Sequence, residues 1–352
     1  MFQAKPIPRE GVRNILIRGT NWIGDVVMTL PAIAAVREAY PGAKISILVK
    51  PWVADLLRIS SDVDEVLIYE RPGVHEGLGG FLRLVGELKA RKFDMAILLQ
   101  NAIEAAIIAW LARIPVRAGY STDGRGFLLT HAVRRTDDIL RLHQTRYYLE
   151  MLKALGLEPG RKDVRLAVGE EEKSLSDRIL KERGIAPDSL LIGLAPGATY
   201  GPAKMWYPER FASVADRLIE RFSARVLIFG SGGDHEVARR VRERAGNTLI
   251  DLTGETTLRE AISLIARCRL FVSNDSGLMH VAGALGIPTV AIFGSTNPLT
   301  TSPVGQESVV ITKNAPCAPC LKETCPTDFI CMDLITVDDV YDTAVSLLTK
   351  EL

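Results

Sequence analysis

Residues 14–40, NILIRGTNWIGDVVMTLPAIAAVREAY, decide the fold. The run 14–18 is apolar and has the length of a strand, and a helical pattern extends from about Asp25 until Pro41-Gly42 ends it. The loop 19–25 between them is polar and contains glycine. A strand, a short loop and a helix in this order predict one unit of a parallel sheet that is covered by helices.

The same alternation of apolar runs and helical segments continues along nearly the whole chain. In the first half it predicts helices at about 77–92, 102–113 and 138–155. The predicted strands of that half span 14–18, 44–49, 65–69, 94–99 and 116–119. Those of the second half span 190–195, 225–229, 248–251, 270–273 and 289–293. Five strands in each half predict an α/β protein with two doubly wound, Rossmann-like parallel sheets.

The length of 352 residues fits two domains of roughly 150 residues each better than a single core. Glycine and proline at 156–160 suggest a boundary, so we predict domains at 1–165 and 166–335. A last segment, 336–352, holds a helix that we expect to pack back on the first domain. The resulting cleft between the two domains is the expected place for a ligand.

The composition of the chain argues against a membrane-spanning protein and against a nucleic-acid-binding protein. The chain is 47% hydrophobic, yet its apolar runs are strand-length and too short to span a bilayer. The first 14 residues do not read as a signal peptide, so we expect a cytoplasmic protein. The formal net charge of +1 argues against nucleic-acid binding, although residues 1–165 carry 24 Lys and Arg against 18 Asp and Glu. That basic half suits an acidic acceptor, an anionic membrane surface or an ordinary solvated surface.

Loops that follow strands carry the informative residues, because ligands of parallel sheets bind beyond the carboxyl ends of the strands. The loop 19–25 leaves Asp25 at a helix start, where a carboxylate serves either as a general base or as a helix cap. The Gly- and Pro-containing loop 196–206 offers Thr199 and Lys204 to a phosphate group. A merely solvated lysine is the alternative there.

Two further loops look suited to a nucleotide. In Gly230-Ser231-Gly232-Gly233-Asp234 the glycines permit close backbone approach and Asp234 could accept from a ribose, but the third glycine of G-x-G-x-x-G is missing. In the segment 273–280 polar residues separate an apolar strand from an apolar helix, whose free amides would attract an anion. The candidate residues there are Asp275, Ser276, Gly277 and His280.

Taken together, these motifs resemble glycosyltransferase family 9, the ADP-heptose:lipopolysaccharide heptosyltransferases. The resemblance runs nearly end to end, and the 201–204 run with the late cysteines is most similar to type II members. Its residues are Ile23-Gly24-Asp25 with Thr29-Leu30-Pro31-Ala32, Pro196-Gly197-Ala198 with Lys204 and Trp206, and Asp275-Ser276-Gly277 with His280.

The resemblance implies a GT-B fold with an acceptor-binding first domain and a donor-binding second domain. It implies inverting transfer of L-glycero-D-manno-heptose from ADP-heptose to the first heptose of the lipopolysaccharide inner core, with peripheral contact at the inner membrane. Asp25 would be the catalytic base, and Lys204 with Thr199 would hold the donor phosphates. Asp234 would contact the ribose. Asp275, Ser276, Gly277 and His280 would line the rest of the donor site, and domain closure would assemble it.

No cofactor is required by this chemistry, but four cysteines leave a structural metal site open. Cys317, Cys320, Cys325 and Cys331 form a C-x-x-C pattern with two later thiols, which suits zinc or an iron-sulfur centre as well as reduced thiols. The alternatives to a heptosyltransferase of this type are a family 9 enzyme with another acceptor, a UDP-GlcNAc epimerase-like enzyme and a non-catalytic nucleotide-sugar-binding protein.

Overall fold

The computed structural model describes residues 5–160 and 162–350, and it divides into two compact units, Met1–Val164 and Arg165–Leu352. This division lies one residue before the predicted boundary. Each unit contains one six-stranded sheet. All strand pairs are parallel, so the carboxyl ends of all six strands of a sheet lie along the same side. This side is called the carboxyl edge of the sheet.

The first sheet has the order β3-β2-β1-β4-β5-β6. Ile17 on the central strand β1 pairs with Ile47 of β2 on one side and with Ile97 of β4 on the other. Continuous apolar runs suit these central strands because helices cover both faces of a parallel sheet. The strands are β1 Asn14–Arg18, β2 Lys44–Val49, β3 Glu65–Ile68, β4 Met95–Leu98, β5 Val116–Tyr120 and β6 His131–Val133.

Six helices connect or cover these strands, and short 3-10 turns at Pro51–Val53 and Arg125–Leu128 complete the unit. The helices are α1 Ile23–Ala39, α2 Ala54–Arg58, α3 Gly77–Ala90, α4 Ile103–Leu111, α5 Asp137–Leu140 and α6 Gln144–Ala154. Part of the core lies between α3, α4 and the sheet, where Leu84, Leu88, Phe93 and Ile108 are buried.

The second sheet repeats the topology in the order β12-β11-β10-β7-β8-β9. Its strands are β7 Leu191–Ala195, β8 Arg225–Ile228, β9 Ile250–Asp251, β10 Leu270–Asn274, β11 Thr289–Ile292 and β12 Ser308–Ile311. Its helices are α7 Glu170–Glu182, α8 Pro208–Phe222, α9 His235–Arg244, α10 Leu258–Ile265, α11 Gly277–Ala284, α12 Pro298–Thr301, α13 Ile330–Asp333 and α14 Val337–Lys350. Two 3-10 turns, Pro202–Lys204 and Gly232–Asp234, lie in the loops that follow β7 and β8.

Local signals explain where several of these helices begin. Pro208 occupies the first turn of α8, where its missing amide hydrogen costs nothing. Thr257 and Glu260 form a reciprocal capping box at the start of α10. The fully buried Trp206 anchors the core beneath α8, and its indole N–H donates to the carbonyl oxygen of Ile335 at 3.0 Å.

The predicted class, two doubly wound parallel sheets, is confirmed, but two details of the prediction are wrong. Each sheet has six strands rather than five, because the short edge strands β6 and β12, of three and four residues, were not predicted. The helix predicted at 138–155 is interrupted at 141–143. The ring of His143 accepts from the Thr145 amide and caps α6 separately from α5.

The last helix, α14, belongs to the second unit, where it contacts α8, β10 and β11. Its packing on the first domain stays a prediction. Its apolar face, which includes Val340, Ala344 and Leu347, is part of that unit's core. The last two residues of the predicted segment 336–352 lie outside the described residues. Throughout the part of the chain that the structure describes, every helix is too short or too polar to cross a bilayer.

The close contact between β7 and β10 predicts that an added side chain at Gly193 lowers the stability of the protein. A Cβ atom added at Gly193 would lie 2.4 Å from Cδ2 of Phe271, its partner on β10. We expect Gly193→Ala to lower the free energy of unfolding by about 1–3 kcal/mol through overpacking. Guanidinium denaturation followed by circular dichroism measures this change.

Gly246→Ala in the same unit is the matched control, because its added Cβ would meet its nearest neighbour, Asp216 Oδ2, at an ordinary 3.6 Å. We expect the control to unfold like the wild type. Equal stability of the two variants would contradict the close packing of β7 on β10.

Candidate functional site

Loops from three neighbouring strands meet at the carboxyl edge of the second sheet. Strand β10 pairs with β7 on one side and with β11 on the other, so the segments that follow these strands are neighbours. Polar residues are concentrated in these segments, just beyond strands that are fully buried. This is the position at which parallel sheets bind ligands.

Lys204 and Asp275 form an ion pair at this edge. The Lys204 ammonium, in the 3-10 turn after β7, lies 2.7 Å from Oδ2 of Asp275, the residue that follows β10. The two side chains expose only 15% and 6% of their surface. The structure therefore brings two predicted site residues together and holds a cation in a largely desolvated position.

Thr296 and Tyr200 complete the surroundings of this pair. The Thr296 hydroxyl, from the loop after β11, donates to the same Asp275 oxygen at 2.7 Å. The Lys204 ammonium also lies 4.9 Å from the centre of the Tyr200 ring. Neither Thr296 nor Tyr200 was predicted from the sequence as a site residue. The available signal for Thr296 was its position just after a predicted strand.

Asn274 fixes the loop that carries Lys204. Its amide nitrogen donates to the carbonyl oxygen of Pro196 at 2.7 Å, and its amide oxygen accepts from the backbone N–H of Trp206 at 3.0 Å. The two ends of the loop 196–206 are thus tied to one buried side chain. The sequence analysis did not predict this role for Asn274, because it depends on contacts between segments far apart in the sequence.

Helix α11 begins beside the ion pair. Ser276 is its N-cap residue and Gly277 its first residue, and the Ser276 hydroxyl lies 3.0 Å from that of Ser273. The first amides of a helix lack intrahelical acceptors and attract anions. His280 is buried on the same helix. The four residues predicted around this loop are therefore adjacent, with a helix N-terminus available to an anionic group.

Asp234 lies against the Lys204 loop but also has a local role. A Cβ atom at Gly197 would fall 2.1 Å from Asp234 Oδ1, so the absence of a side chain at Gly197 lets the two loops touch. The other carboxylate oxygen accepts from the backbone N–H and the hydroxyl of Ser231, both at 2.8 Å. Thr199 is exposed in the neighbouring turn. The contacts of Asp234 and Thr199 with a donor stay predictions.

Asp25 belongs to the first unit, at the carboxyl edge of the other sheet. It is half-buried as the third residue of α1, whose N-cap residue is Trp22, so Asp25 is not the N-cap itself. Tyr148 on α6 is close by: burial, and then the charge of Asp25, raise the pKa of this tyrosine. A carboxylate in the first turn is also favoured by the helix dipole.

The loop before Asp25 is held from two sides. The Arg18 guanidinium donates to the side-chain oxygen of Asn21 at 3.0 Å, and the indole N–H of Trp52 donates to the Asn21 carbonyl oxygen at 2.7 Å. These bonds fix the backbone that leads into α1. Asp25, in the first turn of α1, therefore follows a loop of defined geometry.

The cysteine-containing segment 316–331 packs on the Lys204 loop, where the Tyr200 hydroxyl donates to the Leu321 carbonyl oxygen at 3.0 Å. Cys331 is buried, and its pKa is raised by burial and by nearby thiols, those of Cys317, Cys325 and Cys320. Among the described residues, no three His, Cys, Asp or Glu side chains are grouped to hold a metal ion. A structural metal at these thiols stays a prediction.

Comparisons with known proteins agree on the family. The model of glycosyltransferase family 9 (heptosyltransferase) matches residues 81–330. A lipopolysaccharide heptosyltransferase 2 of Salmonella typhimurium is 34% identical over 310 residues, which cover 84% of this chain and 87% of that protein. The corresponding protein of Escherichia coli is 33% identical, with the same coverage of both chains.

Solved structures show the same architecture. The ADP-heptose lipopolysaccharide heptosyltransferase II of E. coli superimposes with a TM-score of 0.80 at 29% identity, covering 96% of this chain and 99% of that one. A family 9 glycosyltransferase of Veillonella parvula gives a TM-score of 0.85 at 24% identity, with 98% and 99% coverage. The predicted GT-B type of fold is thereby confirmed.

Proposed function

The chain belongs to glycosyltransferase family 9, and from this membership we propose that it transfers L-glycero-D-manno-heptose from ADP-heptose to the first heptose of the lipopolysaccharide inner core. The heptosyltransferases 2 that it resembles act on lipopolysaccharide. The use of ADP-heptose by this chain, the acceptor heptose and the inversion of configuration are parts of the proposal. The observation that carries it is the desolvated Lys204–Asp275 pair beside the N-terminus of α11.

That arrangement suits the diphosphate of a nucleotide sugar. A lysine ammonium supplies charge-assisted hydrogen bonds to phosphate oxygens, and the free amides of α11 supply further donors. Asp275 keeps the ammonium paired while the site is empty, since an unpaired buried cation is costly. The same carboxylate is then available to the hydroxyl groups of the donor sugar.

The proposed reaction is a single displacement. The acceptor hydroxyl attacks the anomeric carbon of the donor heptose while the bond from that carbon to the ADP oxygen breaks, which inverts the configuration. Asp25 accepts the proton of the hydroxyl, and Lys204 stabilises the negative charge that develops on the leaving ADP. The step uses only groups of this chain and its two substrates.

Contact with the inner face of the cytoplasmic membrane is also part of the proposal, because the acceptor is a lipid. Trp22, Trp52 and Trp110 of the first unit are 58%, 45% and 51% exposed. This unit also carries the excess of basic residues. Exposed indole rings and basic residues are favoured at the surface of an anionic membrane.

We expect Lys204→Ala to weaken the binding of ADP and ADP-heptose by about tenfold or more, because a hydrogen bond to a charged group contributes about 1.5–3 kcal/mol. Isothermal titration measures both affinities. Lys173→Ala is the matched control, since Lys173 pairs with Glu170 at a similar 2.6 Å but is exposed on α7. Unchanged affinities in a folded Lys204→Ala variant would remove Lys204 from the phosphate site.

Asp25→Asn separates the catalytic role from a structural one. We expect it to leave donor binding and stability nearly intact while lowering kcat by about 100-fold or more, because an amide cannot accept the acceptor's proton. Asp55→Asn makes the same chemical change at another first-turn aspartate, on α2, and should not alter kcat. A kcat for Asp25→Asn within about threefold of wild type, at saturating substrates, would refute the assignment of Asp25 as base.

A further inference from the structure

Helix α4 is apolar on its outer face as well as on the face that covers the sheet. Its inner face lies in the core of the first unit. On the outer face Ile103 and Trp110 are exposed, and Ile107 between them is half-buried. Glu104 is the only charged residue of this nine-residue helix. Surface helices normally carry charged and polar residues on the outer face, so α4 lacks the usual solvated side.

Helix α3, which contacts α4, has the same property in its first two turns. Leu84, Val85 and Leu88 are buried against the core, whereas Leu78 and Leu82, one turn apart, face solvent. Leu78 exposes 75% of its surface. Single exposed leucines are common on proteins, but two on successive turns beside the apolar face of α4 enlarge one apolar patch.

Phe127 is a third element of this patch. It lies in the 3-10 turn after β5, which contacts α4, and 80% of its surface is exposed. The turn, α3 and α4 each follow a strand of the first sheet, so they begin at the carboxyl edge of that sheet. The patch therefore borders the edge at which Asp25 lies.

Two polar contacts join these three elements. The Arg71 guanidinium, in the loop before α3, pairs with the Glu104 carboxylate at the start of α4 at 2.5 Å. The Asp123 carboxylate, in the loop that leads to the turn, accepts from the backbone N–H of Ile103 at 3.2 Å. The exposed side chains therefore belong to one continuous surface. We call it the outer apolar surface and define it by Leu78, Leu82, Ile103, Trp110 and Phe127.

Basic residues predominate in the part of the chain that carries the outer apolar surface. Residues 71–135 contain ten Lys and Arg against five Asp and Glu. Arg83, next to Leu82 on α3, and Arg113, just after α4, are exposed. Anionic phospholipids attract such cations, and leucine and aromatic side chains gain free energy by entering the boundary between headgroups and acyl chains. An anionic bilayer complements both the apolar and the basic side chains.

We propose that the outer apolar surface docks on the anionic surface of a phospholipid bilayer, with Leu78 and Phe127 inserted among the lipid headgroups. The proposal rests on the proposed function for the reason that a bilayer is present, since the proposed acceptor is a lipid. Docking holds the carboxyl edge of the first sheet, with Asp25, close to lipids of the same bilayer. The effective concentration of a lipid-borne acceptor at that edge is thereby raised.

Vesicle flotation tests docking without the transfer reaction. Wild-type protein should bind vesicles of phosphatidylethanolamine and phosphatidylglycerol, and should bind vesicles of phosphatidylcholine alone about tenfold more weakly or less. Leu78→Gln combined with Phe127→Gln should lower binding to the anionic vesicles by about tenfold or more, because the burial of both side chains is lost.

Leu299→Gln is the matched control, because Leu299 is 78% exposed but lies on α12 of the second unit. It should bind the anionic vesicles like the wild type. All of these substitutions change exposed side chains, so each variant should keep the Tm of the wild type.

The transfer reaction then separates docking from recognition of the acceptor saccharide. With the acceptor lipid embedded in anionic vesicles, the double variant should raise the acceptor KM by about tenfold or more. With a deacylated, soluble acceptor its KM and kcat should equal those of the wild type. An equal rise of KM with the soluble acceptor would assign these side chains to saccharide binding and contradict docking.

Equal binding of the wild type and the double variant to anionic vesicles would overturn the docking surface. A wild-type dimer that sedimentation velocity detects without vesicles, and that the double variant lacks, would also overturn it in favour of an interface between copies of this chain. Wild-type protein that binds the vesicles but transfers no heptose would instead refute the proposed function. The two failures are therefore distinguishable.

Discussion

Parallel strand pairing is the constraint on which both units depend. In each sheet all the strands run in one direction, so every strand ends at the same edge. The strands themselves are apolar and buried, and polar groups can be placed only beyond their ends. For this reason Lys204, Asp275 and Thr296, which are far apart in the sequence, become neighbours after β7, β10 and β11.

The carboxyl edges of the two sheets differ in how their charged side chains are balanced. In the second unit the Lys204 ammonium is paired with the Asp275 carboxylate, so the two charges balance each other. In the first unit the carboxylate of Glu104 is outnumbered by the cations around Tyr69, which are Arg18, Lys50 and Arg71.

Much of the fold was predictable because its signals are local. The apolar runs gave the central strands to within a residue or two, and Pro41-Gly42 marked the end of α1. The edge strands β6 and β12 and the roles of Asn274 and Thr296 were missed. Each of these depends on contacts between segments distant in sequence, and for Thr296 the one local signal was its position after a predicted strand. Lys204 and Asp275 were each predicted from the sequence as donor-site residues, but the ion pair between them was not.

The most direct measurement of the central claim is a transfer assay with purified protein, ADP-heptose and an inner-core acceptor that ends in its first heptose. The account predicts that one heptose is added for each ADP released and that NMR shows inversion at its anomeric carbon. Release of ADP without a heptosylated product, or a product that retains the donor's configuration, would contradict it.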